Sequence, residues 1–151
     1  MKYPTLSRQK PSGFTLIEIM IVVIILGVII TMALPALKAV RERALVSTFV
    51  NDFGTFEEAI NRYSLEEGEY PADTTDALFL EYIRNDLVSD RTVIGGRYFA
   101  QDSGTAYEIG VNGYTVNDRI AIMIDEELDD GNLGSGRLTG GGGSIRLTIE
   151  G

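Results

Sequence analysis

The sequence predicts an α+β chain in which one long N-terminal helix precedes a small antiparallel β domain. Three observations predict it. An apolar run from Phe14 to Leu34 is too long for a strand and apolar on every helical face. Apolar residues then recur at steps of three and four as far as Tyr63, which is the helical period. Beyond Tyr63 the pattern breaks into short alternating segments set between glycines, as small strands require. At 151 residues the chain has one domain's length, given ~100–200 residues per domain.

Composition narrows the chemistry first. The chain holds 13 Lys and Arg against 22 Asp and Glu, for a net charge of −9. A net acidic surface does not neutralise phosphates, so no nucleic-acid partner is expected. The sequence contains no Cys, which excludes disulfides, thiol nucleophiles and thiolate metal sites. It contains no His either, which removes the usual general base and the Ser-His-Asp arrangement. Any catalysis would rest on carboxylates, Lys, Arg, Tyr or hydroxyls, and the chain is not expected to be an enzyme.

The first element is a basic leader. Residues 1–13 hold Lys2, Arg8 and Lys10 and no acid, so the remainder carries 10 bases against 22 acids. Next comes FTLIEIMIVVIILGVIITMAL, Phe14 to Leu34, with Glu18 as its one charge. At ~1.5 Å per residue this helix reaches about 31 Å, enough for a bilayer core of ~30 Å. A cleaved secretory signal is the alternative, because a basic start and an apolar stretch fit its general pattern. Against it, the apolar run exceeds the ~7–15 residues of such signals, and no small-x-small site follows. The chain continues instead as Leu34-Pro35-Ala36-Leu37-Lys38.

Glu18 stands within that run, where a charge costs about 2.5–3.5 kcal/mol at a helix centre and less near an end. If the chain were cut after Gly13, the new α-amino group of Phe14 would lie four residues from Glu18. Positions i and i+4 share a helical face, so the amine would neutralise the carboxylate. The first turn of the helix also favours an anion. Among many parallel helices the carboxylate would meet the amine of a neighbour instead and fix their register. A glutamate tolerated near the lipid headgroups is the plainer alternative.

Gly13-Phe14-Thr15-Leu16-Ile17-Glu18 behind a short basic leader closely resembles the processing site of type IV prepilins and type II secretion pseudopilins. The resemblance covers about residues 8–35 and includes Pro35, where these proteins commonly have a helix-kinking proline. It implies that a prepilin peptidase cuts after Gly13, that the Phe14 amine is N-methylated, and that Glu18 serves subunit assembly. It also implies a pilin-like α+β fold. The corresponding division is a leader over 1–13, a transmembrane and assembly helix over 14–35, an amphipathic continuation over 36–64 and a variable globular domain over 65–151.

Pro35 removes a helical hydrogen bond, so a bend or local melting is expected there. Beyond it, Leu37, Val40, Ala44, Leu45, Phe49, Phe53, Phe56, Ile60 and Tyr63 form one apolar stripe between charged residues. Gly68 and Pro71 supply the stop. Tyr70-Pro71 again resembles the major-pseudopilin pattern. Asp73-Thr74-Thr75-Asp76 offers caps for a short helix through Leu87. Thr92–Ile94 and Arg97–Ala100 flank Gly95-Gly96, and Ala106–Val111 and Tyr114–Val116 flank Asn112-Gly113, so two hairpins are expected. Residues 119–124 fit a strand or a helix, with helix favoured over 118–128. Ile145–Ile149 reads as the last strand.

Two loops complete the chain. Residues 125–132, Asp-Glu-Glu-Leu-Asp-Asp-Gly-Asn, gather carboxylates before a glycine turn. Calcium takes six to eight oxygen ligands, and Asp125, Asp129, Asp130 and Asn132 are the candidates, although the spacing is not an EF-hand's. The resemblance adds that similar major pseudopilins carry calcium in such a loop. A solvated acidic helix end is the alternative. Residues 131–143 hold seven glycines and lack any phosphate-loop ending, which reads as a flexible exposed loop.

The function implied is a structural subunit of a helical filament, most directly a pseudopilin of a type II secretion system exporting protein across the outer membrane. The alternatives are a type IV pilus subunit for adhesion, motility or DNA uptake, and a single-pass membrane-anchored binding protein that never polymerises. The expected partners are the prepilin peptidase, other copies or pilin-like subunits, an inner-membrane assembly platform and the bilayer. The expected location is the bacterial inner membrane, leader in the cytoplasm and globular domain in the periplasm, before entry into the filament. Within the resemblance, many type IV pilins close a C-terminal loop with two cysteines, which are absent here. The short domain, Tyr70-Pro71 and the late acidic loop favour the secretion type, whereas the absence of Trp departs from major pseudopilins.

Overall fold

The computed structural model describes residues 13–149, so Lys2, Arg8 and Lys10 of the leader lie outside the described residues. The order is α1 (Leu16–Glu67), α2 (Phe79–Tyr82), α3 (Asn85–Ser89), β1 (Gly95–Asp102), β2 (Tyr107–Tyr114), α4 (Asp118–Leu128), β3 (Leu138–Gly141) and β4 (Ser144–Ile149). The four strands form one antiparallel sheet in the order β1-β2-β4-β3. This is the long helix and small antiparallel sheet that the sequence predicts. The chain divides into two compact units after Ala39.

In the first unit every residue from Phe14 to Leu34 is exposed, as expected of a segment whose solvent is lipid. The helical backbone runs on through Pro35, so the local melting expected there does not occur. Proline costs one hydrogen bond, and the flanking turns carry the helix past it.

In the second unit α1 buries Val46, Phe49, Phe53, Phe56, Ala59, Ile60 and Tyr63. Phe49, Phe53 and Phe56 gather around Tyr98 of β1, with the Phe56 and Tyr98 rings stacked at 4.8 Å. The other face of the core comes from Ile109 and Val111 of β2, Ile120 and Ile124 of α4, and Ile145 and Leu147 of β4. The expected stripe starts later than its periodicity implies. Leu37 and Val40 remain 53% and 63% exposed, and Ala44 is exposed too. Gly68, with φ +81°, ends the helix. The Tyr70-Pro71 pair behind it is held by Tyr107, whose ring stacks on Tyr70 at 4.4 Å and whose hydroxyl donates to Pro71 O at 2.8 Å.

Both expected hairpins are corrected. Gly95-Gly96 opens β1 instead of turning, and the tight turn precedes it, with Gly95 N–H donating to Thr92 O at 2.9 Å. Asn112-Gly113 lies inside β2, where Asn112 pairs with Arg97 on one side and Ser144 on the other. Two neighbouring strands outweigh a local turn preference. Hairpin turns fall instead at 103–106, between β1 and β2, where Ser103 N–H donates to Ala106 O at 3.0 Å, and at Gly142-Gly143, between β3 and β4, with φ +60° and +86°. The glycine stretch is therefore only partly loop, because 138–141 form β3 and Gly140 N–H donates to Leu133 O at 2.8 Å. The short helix expected behind the Asp73–Asp76 caps and through Leu87 breaks into α2 and α3 at Ile83 and Arg84, which are extended. α4 matches its expected span and is capped by Asn117, whose side chain accepts from Ile120 N–H at 3.1 Å.

Candidate functional site

Two sites follow from the fold, one at the start of α1 and one at the end of α4. At the start of α1, Gly13 and Phe14 precede the helix, and the Phe14 side chain is 81% exposed. Thr15 caps the helix. Its hydroxyl accepts from Glu18 N–H at 3.3 Å, while Glu18 Oε2 accepts from Thr15 N–H at 3.3 Å and from Thr15 Oγ1 at 3.5 Å. This is a reciprocal capping box, which satisfies two orphan donors of the first turn. Thr-x-x-Glu ahead of an apolar run is its sequence signature, so Thr15 was legible beside Glu18. The box holds the Glu18 carboxylate on the amide adjoining Phe14, beside the atom that a cut after Gly13 would turn into an amine. Pro35 stands inside α1.

At the other site, α4 ends in the acidic loop. Carboxylate oxygens of Asp125, Asp129 and Asp130 lie within 4.8 Å of one another. Asp125 is fully buried, and among the described residues neither of its carboxylate oxygens has a hydrogen-bond partner. Burial, and next to it the Asp130 charge, push its pKa above the usual 3.8. Asp130 moves the other way, held below 3.8 first by the N–H of Asn132 and then by the Ser135 hydroxyl. Those contacts measure 2.8 and 3.0 Å. Asp129 Oδ2 accepts from Leu138 N–H at 3.0 Å and so ties the loop to β3. A Cβ at Gly136, where φ is +85°, would collide with Asp129 Oδ2, so only glycine lets the backbone approach that carboxylate.

The structure thus brings three of the four candidate ligands together. Asn132 has its side-chain oxygen on Gly134 N–H at 3.1 Å, a contact that shapes the turn and leaves a second lone pair. Three clustered carboxylates around a buried, uncompensated Asp125 fit a hard divalent cation with oxygen ligands. The i, i+4 spacing of Asp125 and Asp129 was readable from the sequence, but the complete burial of Asp125 was not.

The comparisons with known proteins bear on the N-terminal segment and on the fold. A family model described as the prokaryotic N-terminal methylation motif matches residues 8–34. The chain is 33% identical over 95 residues to the type II secretion system core protein G of Klebsiella michiganensis, covering 63% of each chain. It is 40% identical over 68 residues to the protein of that name from Vibrio cholerae, covering 45% of each. It is 32% identical over 113 residues to fimbrial protein EcpC of Eikenella corrodens, covering 72% of this chain and 74% of that one. The chain spans about half the length of most of the core protein G relatives it matches. Its fold is similar to the major type IV pilin of Clostridium difficile, with TM-score 0.54, 15% identity, and coverage of 73% of this chain and 97% of that one. None of these names is an enzyme's. Processing motif, relatives and fold agree, and the chain belongs to the type IV pilin and pseudopilin family.

Proposed function

We propose that the chain is a filament subunit of a type II secretion system, a pseudopilin that works in protein export across the outer membrane. The observation that carries this reading is the capped Glu18 at the head of a helix whose next sixteen residues are all exposed and apolar or small, Thr31 excepted. Such a surface is stable only in lipid or against other apolar helices. In this reading a prepilin peptidase cuts between Gly13 and Phe14 while residues 14–35 span the inner membrane, with the leader in the cytoplasm and the globular domain in the periplasm. Methylation of the Phe14 amine keeps it protonatable. Glu18 then exchanges its bonds to Thr15 for the amine of a neighbouring subunit, which sets the axial step. Helices leaving the bilayer bury their apolar faces on each other, assisted by an inner-membrane platform and Pro35.

The acidic loop supports a second part of the reading. Asp125, Asp129 and Asp130, with Asn132 Oδ1 alongside, would hold calcium. When bound, the ion would supply the positive charge that Asp125 lacks. The chain's own part is to fix Asp129 on β3 and Asp130 on the Asn132 turn, so that α4 and β3 are drawn to one point.

A type IV pilus subunit is the alternative, favoured by the fimbrial relative with its longer matched span. Deleting the chain from its host separates the two, since loss of a secreted enzyme supports the first and loss of surface pili supports the second. Mass spectrometry of the mature protein should find an N-methylated Phe14 as its first residue. Glu18→Val should reduce sheared filaments at least about tenfold, the effect of losing roughly 1.4 kcal/mol per subunit contact. A subunit that retains Met1, or filaments unchanged by Glu18→Val, would sink the reading.

A further inference from the structure

The second unit carries a groove of about 670 Å³ between α1 and α4. Val46, Val50 and Met123 form its apolar part, and Arg43, Ser47, Asn51, Glu126 and Glu127 its polar part. Glu126, Glu127 and Arg43 are exposed, and Val50 and Met123 are only partly covered. Two carboxylates against one guanidinium leave these walls net negative. The middle of α1 and the second half of α4 therefore offer a partly apolar trough bordered by excess negative charge, and no described residue fills it.

One segment of the same chain has the complementary character. Leu37, Val40 and Arg41 lie at i, i+3 and i+4 of α1 and so share one face of the helix. Leu37 and Val40 are more than half exposed just beyond the apolar run, and Arg41 is exposed beside them. The acid next to them, Glu42, is buried, so it does not present its charge on that face. The periodicity of α1 would have placed Leu37 and Val40 in the core, yet the domain covers the stripe only from Leu45 onward. They are apolar residues left without a cover on a surface where such positions mark contacts.

We propose that the groove between α1 and α4 receives the Leu37–Arg41 turn of a second copy, with Leu37 and Val40 on Val50 and Met123 and Arg41 against Glu126 and Glu127. This rests on the filament reading, since it names the surface by which neighbouring subunits engage outside the lipid-exposed segment. A contact of one helical turn is small beside the ~800 Å² per partner of a stable complex. Isolated chains would therefore stay unpaired, and repetition along a filament would make the contacts effective. The net negative walls select a cationic turn, which sets which part of the neighbour's helix enters.

The chain lacks cysteine, so introduced thiols report one contact each. The test co-expresses full-length L37C and M123C copies in a host that assembles the filament, then applies mild oxidant. A disulfide requires Cβ atoms within about 4.5 Å, so a dimer of the two copies is expected only if the turn enters the groove. Each variant alone should give no dimer, and V40C should serve in place of L37C. Charge exchange adds a readout independent of thiols. R41E alone and E126R/E127R alone should each lower sheared filament about tenfold, and the combination should restore it to within about threefold, since coupled charges are non-additive. Filaments that form without the cross-link, or without rescue, would overturn the groove assignment and leave the filament reading intact. A chain that enters the membrane and never assembles would remove both.

Discussion

Burial of Asp125 beside Asp130 disfavours its charged form, and this gives the acidic loop a pH dependence of known sign. A carboxylate whose folded pKa is raised stabilises the fold fully below its ordinary 3.8 and loses that contribution as pH rises through the raised value. The metal-free protein should therefore weaken as Asp125 ionises, and a dication should restore what is lost. Asp125→Asn removes the buried charge. Without calcium at pH 7 it should melt a few degrees higher than the parent, about 3 °C or more for a domain of this size. It should also lose any rise in Tm on adding calcium. Thermal melts of both proteins with and without calcium check this. A parent whose Tm ignores calcium at pH 7 would refute the ligand assignment. Glu18 has the opposite solution at the other end of the chain, where an exposed carboxylate is held by a hydroxyl and an amide of its own first turn.

Single elements show why local pattern predicted helices better than turns. α1 and α4 carry their period over many residues, and α4 adds an Asn117 cap that the sequence displayed. The turn signals failed because each covered two residues, few enough for neighbouring strands to override. Gly96 and Gly113 meet across β1 and β2, where a Cβ on Gly96 would collide with Asn112 O. The glycines there permit close strand approach instead of a reversal. Gly110 is the stricter case. It sits mid-β2, paired with Phe99 and Arg146, and a Cβ there would collide with Ile145 O and come 2.8 Å from the Phe99 ring. Gly110→Ala should destabilise the globular unit by about 1–3 kcal/mol through overpacking. Urea unfolding of the detergent-solubilised chain measures it, and an unchanged midpoint would show that the sheet can shift.

At the scale of the whole molecule, one helix serves two solvents. Its first part is apolar and uncovered, and its later part buries an aromatic row in a domain that has neither disulfide nor Trp to anchor it. Phe56 is central to that row, stacked on Tyr98 and edge-on to Phe79 at 6.0 Å. Phe56→Ala should cost the globular unit about 3–5 kcal/mol. Membrane insertion should persist, because no residue from Phe14 to Leu34 depends on that core. Fractionation and protease sensitivity in the same cells separate the two outcomes. Loss of insertion together with the fold would contradict the division into two units.

By itself the sequence determined an apolar segment long enough to cross a bilayer, the N-terminal methylation motif, the long helix, and the α+β class. Each of these rests on local pattern: an apolar run, a motif of fixed spacing, a sustained period. The tertiary structure alone decided which glycines turn the chain, where the apolar stripe meets its domain, and that Asp125 is sealed from water. Leu37 and Asp125 make the contrast plain. An apolar residue in register was left exposed and an acid in an acidic run was buried, because burial depends on what the rest of the chain brings alongside and not on a residue's own character.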